Sequence, residues 1–374
     1  MRRRNAQAKP AAAGVAAMEV IDLRRLRPLE QSASTGRPAF VALLAPLAWL
    51  YGGVVWLWRR APARSVRIGV PVVSIGSILA GGTGKTPLTM LIAKRLLDSG
   101  RQVCIISRGY RRKGKHSPQE VSDGKNLVAD VEEVGDEPYL MARRLPGVCV
   151  VVGKDRAEAA RHAIGAFGPD VFLLDDGFQA RGVAKDVEVV TLDAAALRSR
   201  QTMLPIGRLR EGWSSLKPQH IIVVLVGPGE AKPDARFLAR LPGSQVFYAS
   251  RGEPGLADSQ GRPVGLERAR EAGCLILSGV ASPAGFEATC RLAGIDAKVS
   301  VRLDDHHWYS EADVARIIDT MASYGCTRIV TTEKDSVKLP GRLRDLSWTI
   351  RADVALDDPS AFWAELEHRL GECK

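Results

Sequence analysis

The sequence lacks any close pair of cysteines. Its six cysteines are scattered over 374 residues, and none forms a C-x-x-C motif. This spacing argues against a zinc ribbon, which needs paired thiolates, and against a disulfide framework. Few cysteines without a pairing pattern are typical of a protein in a reducing compartment. With 45% apolar and 25% charged residues the composition is that of an ordinary globular protein, and the length suits about two domains.

Excess positive charge is almost absent beyond residue 67. The chain carries a net charge of +11, and residues 1–67, with twelve Lys or Arg and three acidic residues, supply +9 of it. A nucleic-acid-binding domain clusters its basic residues on one face, whereas here they flank an uncharged segment at one end. The sequence therefore predicts no nucleic-acid partner.

That segment, AFVALLAPLAWLYGGVVWLW at 39–58, contains no charged residue. Its length is sufficient to span a bilayer, which needs about 20 apolar residues. Pro46 and the pair Gly52–Gly53 are expected to interrupt the helix, and its four Trp and Tyr residues favour the headgroup region. Because arginines lie on both sides, we expect a broken helix in or dipping into the cytoplasmic leaflet, attracted by anionic lipid. A single span is the close alternative.

Two other interpretations of this segment are less favoured. A buried helix of a soluble domain would show a polar face, which so long an uncharged run does not leave. A cleaved signal peptide would begin earlier and would be followed by an A-x-A site.

From Ile68 onward, short apolar runs alternate with helical patterns. Strands are predicted at 70–76, 102–107, 148–152, 171–176, 187–193 and 220–226, and helices fit between several of them, as at 85–99 and 155–167. Near-continuous apolar strands alternating with helices predict an α/β fold with a parallel sheet covered on both faces. A second region has strand patterns at 274–279 and 327–332 and helical patterns at 283–292 and 310–324. A linker is expected near 227–259, which is rich in Gly and Pro.

The stretch SILAGGTGKTPL, residues 77–88, lacks one glycine of a phosphate-binding loop. The pattern G-x-x-x-x-G-K-[ST] needs a glycine five residues before Gly84, where this chain has Leu79. The strand–loop–helix context is nevertheless present, and the remaining glycines allow backbone N–H groups to turn inward as an anion nest. A glycine turn without a ligand is the alternative. The predicted nucleotide-binding residues are Gly81, Gly82, Thr83, Gly84, Lys85 and Thr86.

Within this loop, Lys85 is expected to reach the β- and γ-phosphates and Thr86 to ligate Mg²⁺. A P-loop also needs a metal-side carboxylate at the end of another strand. VFLLDDGF supplies Asp175 and Asp176, one of which is expected to hold Mg²⁺ directly or through water, unless the pair serves as a helix cap or turn. Glu211 is a candidate for the same metal shell or for pairing with an arginine.

An acceptor hydroxyl needs a base. Asp136 and Glu137 stand ahead of a helical pattern, although acids at a helix start are also routine. LDDHHWYS, residues 303–310, offers His306, which suits a partner for a carboxylate base better than a zinc ligand. Spacing alone cannot join Asp136 to His306. The arginines that could stabilise a transferring phosphoryl group are Arg108, Arg156, Arg208 and Arg210.

Seven short strings, in order from about Ala39 to the C-terminus, resemble the tetraacyldisaccharide 4'-kinase family of Gram-negative bacteria. They are GGTGKTP (81–87), SRGY (107–110), GDEP (135–138), DDGFQ (175–179), LPIGRLRE (204–211), DHHWY (305–309) and TTEKDSVKL (331–339). The resemblance implies an ATP-dependent kinase at the cytoplasmic face of the bacterial inner membrane. Its substrate would be the 4'-hydroxyl of a tetraacyldisaccharide 1-phosphate, and its product lipid IVA.

The resemblance also implies an organisation and a set of roles. Residues 1–37 lie outside the resemblance, and their Ala- and Arg-rich composition predicts a basic, mostly disordered tail. The rest of the chain would comprise a membrane-associated helix with basic flanks (38–67), a P-loop kinase domain (68–240) and a smaller α/β domain that contributes His306 (241–374). Asp136 and His306 would form a catalytic dyad. ATP and Mg²⁺ would be served by Lys85, Thr86, Asp175, Asp176, Gln179 and Glu211, with Arg156 and Arg210 on transferring or substrate phosphate.

The chain departs from the family pattern at several points. Ala180 stands where the family usually has His after DDGFQ, which puts one polar contact near the nucleotide in doubt. Gly76–Ser77 stands where the family often has Asn, and Gly212 replaces the proline of LREP.

Three other classes remain open. A partitioning-type ATPase would carry a lysine at the position of Ala80. A P-loop kinase of a soluble metabolite would leave 39–58 without a role. A non-enzymatic membrane adaptor would leave Asp136, Asp175 and His306 without one.

Overall fold

The structure is a computed structural model that describes residues 18–24 and 38–372, except 63, 115, 200, 228 and 240, and omits the side chains of 38–43. Its strands form two sheets, each mostly parallel and each flanked by helices. This architecture confirms the predicted α/β class. The predicted domain boundaries at 38, 68 and 241 remain predictions.

The larger sheet has nine strands in the order β16-β9-β8-β7-β2-β6-β3-β5-β4. Its strands are β2 (Val72–Gly76), β3 (Val103–Ser107), β4 (Gln119–Asp123), β5 (Cys149–Val152), β6 (Val171–Asp175), β7 (Val187–Asp193), β8 (Ile221–Val226), β9 (Gln245–Arg251) and β16 (Val354–Leu356). The two edge strands β4 and β16 are antiparallel to their neighbours and the rest are parallel. The near-continuous apolar runs of β2, β3, β6 and β8 are fully buried, as expected for strands covered on both faces.

Helices cover both faces of this sheet. They are α2 (Lys85–Asp98), α3 (Val131–Val134), α4 (Asp136–Arg144), α5 (Arg156–Phe167), α6 (Ala194–Arg198), α7 (Ala235–Leu238) and α13 (Pro359–Gly371), with a 3₁₀ turn at Trp213–Ser215. Apolar residues of α2, α4 and α13 pack together in one core cluster, and those of α5 pack in another with Phe172 and Leu174. Because β2 and β6 are neighbouring parallel strands, the loops that follow them emerge side by side at one edge of the sheet.

The smaller sheet has seven strands in the order β1-β13-β12-β14-β15-β10-β11. Its strands are β1 (Glu19–Asp22), β10 (Gly255–Ala257), β11 (Pro263–Val264), β12 (Cys274–Ser278), β13 (Ala297–Arg302), β14 (Arg328–Thr332) and β15 (Ser347–Arg351). Its helices are α8 (Leu266–Glu271), α9 (Pro283–Leu292), α10 (Glu311–Ser323), α11 (Glu333–Ser336) and α12 (Gly341–Arg344). Ser310 and Asp313 form a capping box that fixes the start of α10 just after the loop carrying His306.

Three local predictions were wrong. Residues 19–22, placed in a disordered tail, form an edge strand parallel to β13, because EVID alternates enough apolar residues to pair there. The expected linker 227–259 contains β9, whose partly buried side chains extend the larger sheet. The helix expected to break at Pro46 and Gly52–Gly53 is continuous, and we name it α1 (Pro38–Arg60). Proline there removes one backbone hydrogen bond without ending the helix.

One side of α1 contacts loops of the larger domain and another faces solvent. The Tyr51 hydroxyl donates a hydrogen bond of 3.1 Å to the carbonyl of Arg210, and Arg181 donates to the carbonyls of Trp58 and Ala61. Trp49 is 82% exposed and Leu50 65%. No helix in the described part of the chain is long and apolar enough to cross a membrane.

Candidate active site

The glycine-rich loop after β2 is held by a buried leucine. Leu79 is fully buried in an apolar cluster and pairs as an isolated β-bridge with Leu209. On either side of it, the Ala80 N–H donates to the Arg208 carbonyl at 2.7 Å, and the Arg210 N–H donates to the Ile78 carbonyl at 2.8 Å. The position that the general P-loop pattern assigns to glycine is thus an apolar anchor that ties the loop to LPIGRLRE.

The following glycines shape an open turn. Gly81 and Gly84 have φ values of +90° and +77°, a region that side-chain-bearing residues rarely adopt. A side chain at Gly82 would meet nothing within 4 Å, so the loop leaves space above its backbone. Gly84 caps the 14-residue helix α2 without any side-chain hydrogen bond, which leaves the first N–H groups of the helix free to bind an anion.

Lys85 and Asp176 lie together at this turn. The Lys85 Nζ is 3.7 Å from Asp176 Oδ1 and 3.5 Å from the Gly81 carbonyl oxygen. Asp176 has a left-handed φ of +49°, and Arg210 Nη1 bonds both of its oxygens, at 2.8 and 3.1 Å. Burial raises the pKa of this carboxyl, but the charges of Lys85 and Arg210 outweigh it and lower the pKa. Asp176 is therefore an ionised carboxylate. Its left-handed backbone conformation costs a residue other than glycine about 1–3 kcal/mol.

Asp175 is the last residue of β6 and is buried below its neighbour. Its oxygens accept hydrogen bonds from the hydroxyls of Thr89, at 3.2 Å, and Ser107, at 3.5 Å. Burial, with the nearby charges of Glu137 and Asp176, raises its pKa above the ordinary value. The pKa values of the two adjacent carboxyls thus shift in opposite directions, because burial and neighbouring carboxylates dominate at Asp175 and the charges of Lys85 and Arg210 dominate at Asp176.

Glu211 and Gln179 flank the loop on its other side. Glu211 is only 1% exposed, and its Oε2 is paired with Arg59 Nε of α1. Among the described residues its Oε1 has no hydrogen-bond partner, although it is buried. The Gln179 side-chain amide donates to the Ser77 carbonyl at 3.0 Å.

Arg156 is buried in the first turn of α5, which Asp155 caps by accepting from two backbone N–H groups. Its Nη1 donates to the Gly153 carbonyl at 2.7 Å, while its Nε has no partner within the described structure. Burial, with the charge of Arg108, lowers the pKa of Arg156 to about 10. It remains a cation at neutral pH, desolvated and facing the same cleft as Lys85.

The structure brings Asp136 and His306 together across the two sheets. Asp136 begins α4 of the larger domain, and His306 lies in the loop that follows β13 of the smaller sheet. His306 Nδ1 is 2.9 Å from Asp136 Oδ2 and 3.1 Å from Oδ1. His306 has a left-handed φ of +62°, and its N–H donates to the Gly279 carbonyl at 3.2 Å. The left-handed backbone of His306 and its hydrogen bond to Gly279, just after β12, together fix the orientation of the imidazole.

Two lysines of the smaller domain support this pair. Lys338, whose side chain is completely buried, places Nζ 3.3 Å from Asp136 Oδ2 and 3.4 Å from Asp335 Oδ1. Lys334 places Nζ 3.1 Å from His306 Nε2 and also faces Glu137, at 3.3 Å. Sequence reasoning assigned neither lysine a role, although both lie in the string TTEKDSVKL.

These cations help to keep the Asp136 carboxyl ionised. Burial opposes ionisation of Asp136, but the hydrogen bond from His306 and the charges of Lys334 and Lys338 hold its pKa far below the ordinary value. The pKa of Lys334 is raised despite its burial, because Glu137, Asp136 and Asp305 surround it. With an ammonium donating to Nε2, the His306 proton belongs on Nδ1, where it is donated to Asp136.

Two further side chains near the site, His307 and Arg208, have structural partners. His307 Nε2 faces Asp313 at 3.1 Å, so the two adjacent histidines contact different carboxylates. Arg208 is paired with Asp193 at 2.7 Å and donates to the Ala80 carbonyl, which places it behind the loop. No group of three or more His, Cys, Asp or Glu side chains in the described residues forms a ready-made metal site.

A cleft of about 1540 Å³ joins these groups. Its walls include the glycine loop, the ends of β3 and β6, the start of α5, the loop of His306 and part of α1. The donors present suit a magnesium nucleotide: a glycine nest and Lys85 for phosphate, with hydroxyl and carboxylate oxygens for a hard cation. The unpartnered Glu211 Oε1 supplies one such oxygen.

Fold and site together define a P-loop phosphotransferase whose cleft lies between two α/β domains. The chain belongs to the tetraacyldisaccharide-1-P 4'-kinase family, whose model matches residues 40–371. It is 39% identical over 310 residues to a tetraacyldisaccharide 4'-kinase of Anaeromyxobacter sp. (strain K), covering 80% of this chain and 82% of the relative. A relative of that name from Geobacter sulfurreducens is 33% identical over 328 residues, covering 86% and 91%.

A solved structure agrees. The crystal structure of LpxK from Aquifex aeolicus in complex with ATP superposes with a TM-score of 0.70 at 28% identity, covering 88% of this chain and 99% of that one. Family and fold therefore exclude the partitioning ATPases and the non-enzymatic adaptor considered above.

Proposed function

We propose that this chain transfers the γ-phosphoryl group of ATP to the 4'-hydroxyl of tetraacyldisaccharide 1-phosphate, which forms lipid IVA in lipid A biosynthesis. The observation that supports it most is that His306, which is hydrogen-bonded to Asp136, lines the same cleft as the glycine loop. A nucleotide site alone would fit an ATPase. A paired carboxylate and imidazole opposite that site supply the base that an acceptor hydroxyl needs.

The nucleotide is held by the loop after β2. The backbone N–H groups of Gly81–Gly84 and the start of α2 bind the phosphates, and Lys85 reaches the β- and γ-oxygens. Thr83 is buried and accepts from Thr191 Oγ1 at 3.1 Å, so it supports the loop from below. Gln179 holds the Ser77 carbonyl at the strand end. Thr86, Asp175, Asp176 and Glu211 would hold Mg²⁺, which when bound neutralises charge on the β- and γ-oxygens.

The 4'-oxygen of the acceptor bonds to the γ-phosphorus as ADP leaves, and Asp136 accepts the proton of the 4'-hydroxyl. The pKa of Asp136 is held low, so its carboxyl is ionised at neutral pH. For the same reason it is a weak base in the ground state. Such a base suits a loose transition state, in which the proton is lost late. His306 donates its Nδ1–H to the carboxylate and fixes its direction, and Lys334 fixes the tautomer of His306.

Arg156 and Arg210 stabilise the phosphoryl group in transfer. Arg156 is desolvated and partly unpartnered, so its charge acts at low dielectric. Arg210 is held by Asp176 beside Lys85. Both roles are electrostatic, and each such donor is worth about 10²–10³ in rate at comparable sites.

The acceptor is an acylated sugar, so the enzyme must reach a lipid surface. The exposed face of α1 carries Trp49, Leu50, Trp56 and Leu57, and Arg60 lies at its end. Aromatic and apolar side chains beside arginines suit the boundary of an anionic leaflet. We therefore place the protein at the cytoplasmic face of the bacterial inner membrane, with α1 lying in the leaflet, and without a nucleic-acid partner.

The direct test is incubation with ATP, Mg²⁺ and tetraacyldisaccharide 1-phosphate, followed by mass analysis for one added phosphate. Lys85→Ala is expected to abolish the product and keep the fold. Lys94→Ala, an exposed lysine of the same helix paired only with Asp98, is the matched control and should keep full activity. Retained turnover in Lys85→Ala would contradict the assignment of the loop.

A further inference from the structure

The last turn of α1 reaches the nucleotide side of the cleft through Arg59. Its Nε is paired with Glu211 Oε2, and its Nη2 lies 3.5 Å from the carbonyl oxygen of Phe178. The guanidinium also lies over the Phe178 ring, 4.8 Å from its centroid. Phe178 belongs to DDGFQ and Glu211 to LPIGRLRE. The Arg59 side chain therefore contacts both strings that carry the candidate metal-side carboxylates.

Glu211 is the group that depends on this contact. It is 1% exposed, and a buried carboxylate is costly unless a cation or donors compensate its charge. Arg59 compensates Oε2, whereas Oε1 is buried without a hydrogen-bond partner and the residue lines the cleft. A carboxylate fixed through one oxygen with the other left unpartnered is prepared to receive a cation or its water.

Arg59 can hold Glu211 only while α1 is seated on the larger domain. That seating depends on the hydrogen bond from Tyr51 to the Arg210 carbonyl and on Arg181, which donates to two carbonyls at the end of the helix. The guanidinium of Arg181 also lies over the Trp58 ring at 4.8 Å. The outer face of the same helix carries the exposed Trp49 and Leu50.

We infer that Arg59 is a positioning residue for the metal-side carboxylate Glu211, and that through it the seating of α1 sets how well the nucleotide site binds Mg²⁺. This inference rests on the proposed role of Glu211 in the metal shell. Arg59 itself touches neither nucleotide nor acceptor. It acts by holding Oε2 of Glu211 in place and leaving Oε1 for the cleft.

The test measures the affinity for ATP by calorimetry, with and without Mg²⁺, on the full chain in one detergent. The readout is the factor by which Mg²⁺ tightens ATP binding, so turnover is not needed. Arg59→Gln is expected to reduce that factor at least tenfold, and Arg59→Lys to restore part of it. Arg60→Gln is the matched control, because Arg60 is exposed on the same turn and stacks on Trp56 at 3.6 Å; it should change the factor less than twofold.

A double-mutant cycle separates the inference from the function on which it rests. Glu211→Gln should reduce the Mg²⁺ factor by itself, and adding Arg59→Gln should reduce it no further. If Glu211→Gln has no effect, the metal role of Glu211 is wrong and the inference is overturned with it. If Glu211→Gln acts while Arg59→Gln behaves like Arg60→Gln, or if the two effects multiply, only the inference is overturned. If Arg59→Gln melts early, Arg59→Lys decides, because lysine has no guanidinium to contact Glu211 and Phe178 together, and a wild-type Mg²⁺ factor in that variant would overturn the inference.

Discussion

Lys338 offers the most quantitative test of how the two domains share the dyad. The Lys338 side chain has no exposed surface. Its Nζ lies 3.3 Å from Asp136 Oδ2 and 3.4 Å from Asp335 Oδ1. At an effective dielectric constant of about 20, each contact is worth roughly 5 kcal/mol before the desolvation of the ammonium is subtracted. Removing one partner of a buried pair usually costs about 3–5 kcal/mol, because the remaining charges stay buried. We therefore expect Lys338→Met to lower the free energy of unfolding by about 3–5 kcal/mol at pH 7.

The pH dependence of this loss tests whether Lys338 is coupled to an ionised carboxylate such as Asp136. In the wild type the folded-state pKa of Asp136 is lowered, so its ionisation stabilises the fold above the unfolded pKa and this contribution is lost as pH falls through the folded pKa. Without Lys338 the folded pKa rises toward that of the unfolded chain. The difference between wild type and variant should therefore be full at pH 7 and shrink as pH falls below about 4.

The assay is urea unfolding followed by tryptophan fluorescence in a fixed detergent. Lys94→Met is the control, because that lysine forms an exposed pair with Asp98, and it should change the free energy of unfolding by less than about 0.5 kcal/mol. A loss in Lys338→Met no larger than in this control would refute a buried cation between the two carboxylates. A difference that stays constant down to pH 3 would refute its coupling to Asp136.

Two further predictions concern the glycine loop and the membrane face. Gly76→Ala, at the end of β2, should weaken ATP binding at least tenfold in calorimetry. An added Cβ would lie 2.5 Å from the backbone N and Cβ of Phe178 and would displace the DDGFQ loop. Wild-type affinity would show that the loop tolerates the shift. Trp49→Ser with Leu50→Ser should reduce binding to anionic phospholipid vesicles at least tenfold in flotation assays while ATP affinity stays unchanged, since both side chains are exposed. Undiminished flotation would mean that another surface binds the lipid.

Much of the fold could be predicted from the sequence because its strands are buried on both faces. Runs such as those of β6 and β8 contain no polar interruption, and glycines and capping residues mark where the intervening helices end or begin. The pattern failed where burial is partial. β9 alternates within a Gly- and Pro-rich stretch, and Glu19–Asp22 pairs at a sheet edge with half of its side chains charged, so neither resembles a buried strand.

From the residues and their spacing the site was predictable residue by residue but not as an arrangement, and only the family resemblance implied that Asp136 pairs with His306. The glycine loop and Asp175 and Asp176 follow adjacent strands, so strand topology alone places them together. Asp136 and His306 are 170 residues apart and belong to different sheets, so only the packing of the two domains joins them. Lys338 was assigned no role although it lies in TTEKDSVKL, because a lysine in a sequence gives no sign that its ammonium is buried.

The central claim is that Asp136 and His306 act as one unit on the acceptor hydroxyl. The most direct measurement is kcat for lipid phosphorylation in Asp136→Asn, His306→Gln and the double variant, with ATP affinity measured alongside. Each single variant is predicted to lose about 10²–10⁴ in kcat, with ATP affinity within threefold of wild type. The double variant is predicted to lose no more than the worse single variant. Losses that multiply in the double variant, or wild-type turnover in Asp136→Asn, would contradict the account.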